Sequence, residues 1–175
     1  MKSRSTVYGL ILFLPLLILT ACSEDEASPT APDPGPQTIQ LVEVTTTIVR
    51  FEALNDGDGI EGAGEFRFTV DVPGDEKSWE RTLSSGNSSN LNWTTTYQQA
   101  YSGDPRKTYV RIHCSEIDKD ITGREYNDGD MNLRFLEAEE TVPSADITNY
   151  MTLGNSECRV RLHYTIKSKV IEVEI

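Results

Sequence analysis

The sequence predicts an all-β fold, a single antiparallel β-sandwich of about eight strands. Three observations predict it. Apolar and polar residues alternate with period two in several segments, which gives each strand one dry and one wet face. No window carries a convincing apolar stripe at the helical period. The strand candidates follow one another at the spacing usual in sandwiches.

The clearest strands come first. Phe66, Phe68, Val70 and Val72 alternate with Glu65, Arg67, Thr69 and Asp71. Thr108, Val110, Ile112 and Cys114 alternate with Lys107, Tyr109, Arg111 and His113. Cys158, Val160, Leu162, Tyr164 and Ile166 oppose Glu157, Arg159, Arg161, His163 and Thr165. A last strand, 169–175, is expected to bury Ile171, Val173 and Ile175. In 39–52 the parity switches after Ile48, which predicts a bulge there. Weaker strand candidates are 78–83, 91–98, 131–138 and 147–153, while Leu-Glu-Ala-Glu-Glu within 134–141 also suits a short helix.

Upstream of these strands the chain changes character. Lys2 and Arg4 precede the apolar run 7–19, too short to span a bilayer as a helix. The run ends in Leu19-Thr20-Ala21-Cys22, which resembles the lipobox of bacterial lipoproteins. The resemblance implies cleavage before Cys22 and acylation of that cysteine, and so a membrane anchor without a transmembrane helix. Residues 1–21 are then the signal peptide, 22–37 the lipidated cysteine with an acidic, Pro-rich tether, and 38–175 the β domain. Ser23-Glu24-Asp25-Glu26 resembles the export signal of surface-exposed lipoproteins, and reads equally as a solvated linker. The expected location is the bacterial cell envelope, at the outer membrane.

Charge narrows the partners. The chain of 175 residues has a formal net charge of −12. Removing residues 1–21 takes away Lys2 and Arg4 and no acids, leaving −14. Such a surface repels nucleic acid and concentrates cations. With Cys22 assigned to lipid, Cys114 and Cys158 remain, both on the inward parity of strands. An oxidising compartment favours a disulfide between them, worth about 3–4 kcal/mol by chain entropy, with two buried free thiols as the alternative.

Two acidic loops carry the functional reading. The first, 55–65, holds Asp56, Asp58, Glu61 and Glu65 among four glycines. The second, 116–130, holds Glu116, Asp118, Asp120, Glu125, Asp128 and Asp130. Calcium takes about six to eight oxygen ligands, and flexible loops can wrap it. Asp and Gly are also ordinary turn formers, so solvated turns are the plain alternative.

The pattern resembles a C2-type domain, a sandwich with acidic calcium loops at one end. Asp118-Lys119-Asp120 followed by Asp128 is similar to the third calcium loop of that family, with Asp128 two residues later than usual. The resemblance implies calcium as the cofactor, with Asp118, Asp120 and Asp128 as ligands joined by Asp56 or Asp58.

Other motifs point elsewhere and fail. Gly57-Asp58-Gly59-Ile60-Glu61-Gly62 spells a dinucleotide fingerprint, but a strand follows where a helix is needed. An EF-hand starting at Asp56 would place Glu61 at its glycine position. The chain has no HExxH, GxSxG or P-loop, and enzymatic activity is not expected. The competing function is calcium-independent adhesion to a glycan or protein through 84–103, where Trp93, Tyr97 and Tyr101 stand among polar amides. Trp93 and Tyr97 share one parity, so they equally suit a core-facing strand. The domain is expected to act as a monomer.

Overall fold

A computed structural model describes residues 35–56, 63–119, 125–126 and 134–175, without the side chains of 118, 119, 125 and 126. The expected signal segment, Cys22 and the tether as far as Pro34 lie outside the described residues. Gly35–Ile175 forms one compact unit.

Its strands are β1 Thr38–Asp56, β2 Gly64–Val72, β3 Asp75–Leu83, β4 Ser88–Ala100 and β5 Arg106–Glu116. Next come the two-residue β6 Asp118–Lys119 and β7 Glu125–Tyr126. They are followed by β8 Arg134–Val142, β9 Ile147–Gly154 and β10 Cys158–Glu174. One sheet has the order β4-β1-β10-β9, the other β3-β2-β5-β8, and β6 pairs only with β7. Every pairing is antiparallel. The eight-stranded antiparallel sandwich expected from the sequence is the observed fold.

The period-two residues build the core. Val42, Val44, Ile48 and Phe51 of β1 meet Phe66, Phe68, Val70 and Val72 of β2. Val110, Ile112 and Cys114 of β5, and Val160, Leu162, Tyr164 and Ile166 of β10, complete it. Aromatic rings link the two layers. Phe51 stacks on Phe68 with centroids 4.0 Å apart and planes 8° apart, and meets Phe66 edge-on at 5.5 Å. Phe68 stacks on Trp79, which meets Trp93 of the opposite sheet at 5.6 Å. A second link is polar: the buried Tyr164 hydroxyl donates to Glu140 of β8 at 2.8 Å. Burial, helped by that carboxylate, pushes the phenol pKa far above its ordinary value.

The bulge is found where the parity switch puts it, with a register shift between Ile48 and Arg50 against both β10 and β4. The extra residue keeps Ile48 and Phe51 both buried.

Two expectations are corrected. Residues 134–141 are strand, not helix, because nine residues of β8 pair with β5 and cross-strand bonding outweighs local helix propensity. Residues 169–175 are not a separate strand but the continuation of β10. There Ile171 and Val173 share parity with Thr165 and Lys167 on the outer face, and Ile175 is 70% exposed.

Phe51→Ala removes the ring shared by both layers and leaves a cavity. The expected loss is about 3–5 kcal/mol, read from the midpoint shift in denaturant at unchanged slope.

Candidate functional site

Strand pairing brings the roots of the two acidic loops together. Phe66 pairs with Glu116 across β2 and β5, and the Ile117 amide donates to the Glu65 carbonyl at 2.7 Å. The loop before β2 and the segment after β5 therefore leave the same end of the sandwich side by side. β1 finishes there too. A Cβ on Gly64 would lie 2.7 Å from the Asp56 carbonyl oxygen, so only glycine lets β2 start this close to the end of β1.

Asp56 is 5% exposed and its carboxylate is occupied. One oxygen accepts from the Ser85 amide and the other from the Ser85 hydroxyl, each at 2.9 Å. The Asp56 amide returns a bond to the same hydroxyl at 3.0 Å. Ala53 holds the rest of the β3–β4 turn, its carbonyl accepting from Gly86 at 2.7 Å and its amide donating to Asn87 at 2.9 Å. Asp56 thus staples that turn to the end of β1, a structural use of a residue the sequence offers as a metal ligand.

Glu116 and Glu65 differ from it. Glu116 is 2% exposed, and one of its oxygens accepts from the Glu65 amide at 3.3 Å. Glu65 has one carboxylate oxygen buried with no hydrogen-bond partner. It borders a cavity of about 110 Å³ lined also by Arg67, Glu80, Arg81 and Ile117. An orphaned, buried carboxylate oxygen can act as a donor to a hard cation, while the two arginines on the same cavity, Arg67 and Arg81, oppose one. The backbone of Asp118 pairs with Tyr126 in β6, and its side chain is not described. Asp58, Glu61, Asp120, Asp128 and Asp130 lie outside the described residues. Among the described residues, no group of three or more His, Cys, Asp or Glu is placed to hold a metal ion.

The aromatic segment is corrected. Trp93, Tyr97 and Tyr101 are partly buried and pack against the core, so 84–103 presents no aromatic binding face. Exposed aromatics lie elsewhere: Phe135 on β8, beside His113, and Tyr150 on the outer face of the β10 sheet, in a cluster that period-two reading alone does not reveal. Two guanidinium groups and an imidazole converge on one Glu52 oxygen: His163 at 2.9 Å, Arg161 at 3.8 Å and Arg50 at 4.0 Å. The Arg161 guanidinium lies over Tyr150 at 4.5 Å. Only the β1–β10 register shows that Glu52 faces Arg161.

No disulfide joins Cys114 and Cys158. They belong to opposite sheets, and both are buried free thiols. Burial, with Cys158 and Glu116 adding, pushes the Cys114 thiol far up from its ordinary range, which leaves it protonated and inert.

No protein-family model matches the sequence, and no curated protein matches it. Solved structures resemble the fold. Human group IVD cytosolic phospholipase A2 gives a TM-score of 0.43 at 12% identity, over 76% of this chain and 18% of that one. A C2 domain of a plant extended synaptotagmin 1 gives 0.35 at 18% identity, over 77% and 98%. A further C2 domain gives 0.35 at 14% identity, over 73% and 98%. The chain thus spans only a fraction of the phospholipase. C2 domains are among its structural neighbours, and at these scores neither family nor function passes to it.

Glu52 has a testable pH signature. The His163 hydrogen bond first, then Arg161 and Arg50, hold its carboxyl below the usual carboxylate range. A depressed folded pKa contributes stability above the unfolded value, about 4.3, that is lost as pH falls through the folded pKa. The stability difference between wild type and Glu52→Gln is therefore expected to be full at pH 6 and to shrink below about pH 4.3. Paired denaturant titrations across that range measure it.

Proposed function

We propose that this chain is a lipid-anchored cell-envelope binding module that holds calcium through its two acidic loops. The supporting observation is the β2–β5 pairing, which sets the loop roots side by side with Glu116 buried beneath them and a Glu65 oxygen left unpartnered. Glu65, Asp58, Glu61, Asp118, Asp120, Asp128 and Asp130 are the proposed ligand pool, and Asp56 leaves it because Ser85 already occupies its carboxylate. Carboxylates gathered at one end repel each other, and a cation relieves that repulsion while ordering the loops for a partner. The anchor is proposed from the Leu19-Thr20-Ala21-Cys22 motif, with the envelope as its location. The domain acts by binding, not by catalysis.

Thermal melts of residues 35–175 with calcium and with excess chelator test this reading. Ligand binding to the folded state adds about 2.7 kcal/mol at a concentration 100 times Kd. A raised midpoint in calcium, abolished by Asp118→Ala with Asp120→Ala, is expected; superimposable curves refute the site. Asp56→Ala and Ser85→Ala are expected to lower the midpoint equally with and without calcium, by the about 1–3 kcal/mol typical of an unmade buried hydrogen bond. A selective loss of the calcium shift in Asp56→Ala would instead make it a ligand.

A further inference from the structure

The end of the domain opposite the acidic loops carries an apolar tip. β1 and β10 pair without a break back to Thr38 and Glu174. On the outer face of this ribbon Ile39 lies opposite Val173, Leu41 opposite Ile171, and Ala100 of β4 opposite Leu41. Directly opposed residues of an antiparallel pair have Cβ atoms about 5 Å apart, so these side chains form one contiguous patch. Its rim is the most open: Ile39 is 41% and Ile175 70% exposed, and Val170 on the opposite face of the ribbon is 41% exposed. Next along the ribbon comes a polar row, Gln98, Glu43 and Lys169, with Lys169 paired to Glu43 at 2.8 Å. Lys167 follows, paired to Asp146 at 3.4 Å. On the outer face the bordering acid, Glu43, is paired to a lysine, while Glu172, which accepts from Gln40 at 3.3 Å, and Glu174 alternate with Ile171 and Val173 and so lie on the opposite face of the ribbon.

We propose that this tip docks on the lipid surface to which the chain is anchored. The inference rests on the lipid-anchor reading above. Sixteen residue steps separate Cys22 from Thr38, so the extended chain holds the start of β1 within roughly 55 Å of the acyl chains. Confinement at that distance turns a weak, reversible insertion into a highly populated one. An apolar tip bordered by lysines suits the boundary of acyl chains and headgroups, because lysine stems lie along apolar surface while the ammonium groups stay in water. On the outer face the pairing of Glu43 with Lys169 reduces the repulsion that the rest of this acidic protein feels at an anionic surface, and Glu172 and Glu174 lie on the other face of the ribbon. The face is small and lacks the buried aromatic or arginine anchor on which protein partners usually build. Docked this way, β1 carries the acidic loops outward, roughly 60 Å of strand beyond the tether junction.

The test uses the chain from Cys22 onward, coupled through Cys22 to a maleimide lipid in phosphatidylcholine vesicles; Cys114 and Cys158 are buried and do not compete. Tryptophan is placed at the tip by Val173→Trp, or mid-sheet on the same face by Thr165→Trp, and the parent signal of Trp79 and Trp93 is subtracted. With brominated acyl chains, Val173→Trp is expected to be quenched at least twofold and blue-shifted, with Thr165→Trp unquenched. Adding Ile39→Asp to Val173→Trp is expected to abolish the quenching. Equal, weak quenching at both positions overturns the proposal. So does a blue shift of Val173→Trp that grows with protein concentration in the absence of vesicles, which assigns the tip to a second copy of the chain. Since the lipid is attached chemically, the outcome does not depend on acylation in the cell. Metabolic labelling of Cys22 with palmitate addresses that separately.

Discussion

The stack of Phe51 on Phe68 is the contact on which the sandwich depends. Two twisted sheets meet over a limited area, and flat rings 4.0 Å apart fix both their spacing and their register. Phe51 is buried only because the bulge after Ile48 returns β1 to the inward parity. With Phe51 in place, the last residues of β1 lie over the start of β2, where Gly64 approaches Asp56 and the acidic loops begin. The geometry of the candidate site thus descends from one aromatic contact and one extra residue. Trp79 and Trp93 extend the same chain of rings toward β3 and β4, the edge strands on that side.

The strands were legible because burial on one face imposes period two on the residues themselves. Phe66 to Val72 and Cys158 to Ile166 are buried as the alternation requires. The same logic misplaced Ile171, Val173 and Ile175, since alternation shows that residues share a face but not whether another sheet covers it. Residues 134–141 were ambiguous for a different reason: Leu-Glu-Ala-Glu-Glu favours helix locally, and pairing with β5, far away in sequence, decides for strand. The bulge was visible because a parity switch is a local signal.

The site was legible only as composition. That two acidic loops share one end follows from strand order, which the spacing of strands does not specify. Asp56 illustrates the limit. An aspartate beside glycines reads alike as turn former, staple or ligand, and its partner Ser85 stands 29 residues away. The cluster around Glu52 was hidden in the same way, its members spread over β1, β9 and β10 and united only by register.

The length of β1 has a mechanical consequence. This one strand of nineteen residues begins beside the proposed tether and ends where the first acidic loop starts. Tension between an anchor and anything held at that loop passes along covalent bonds from Thr38 to Asp56. The hydrogen bonds to β4 and β10 lie across the line of pull and are not its carriers. The domain then resembles a rope with a folded sleeve around it, able to bear load without drawing on its thermodynamic stability.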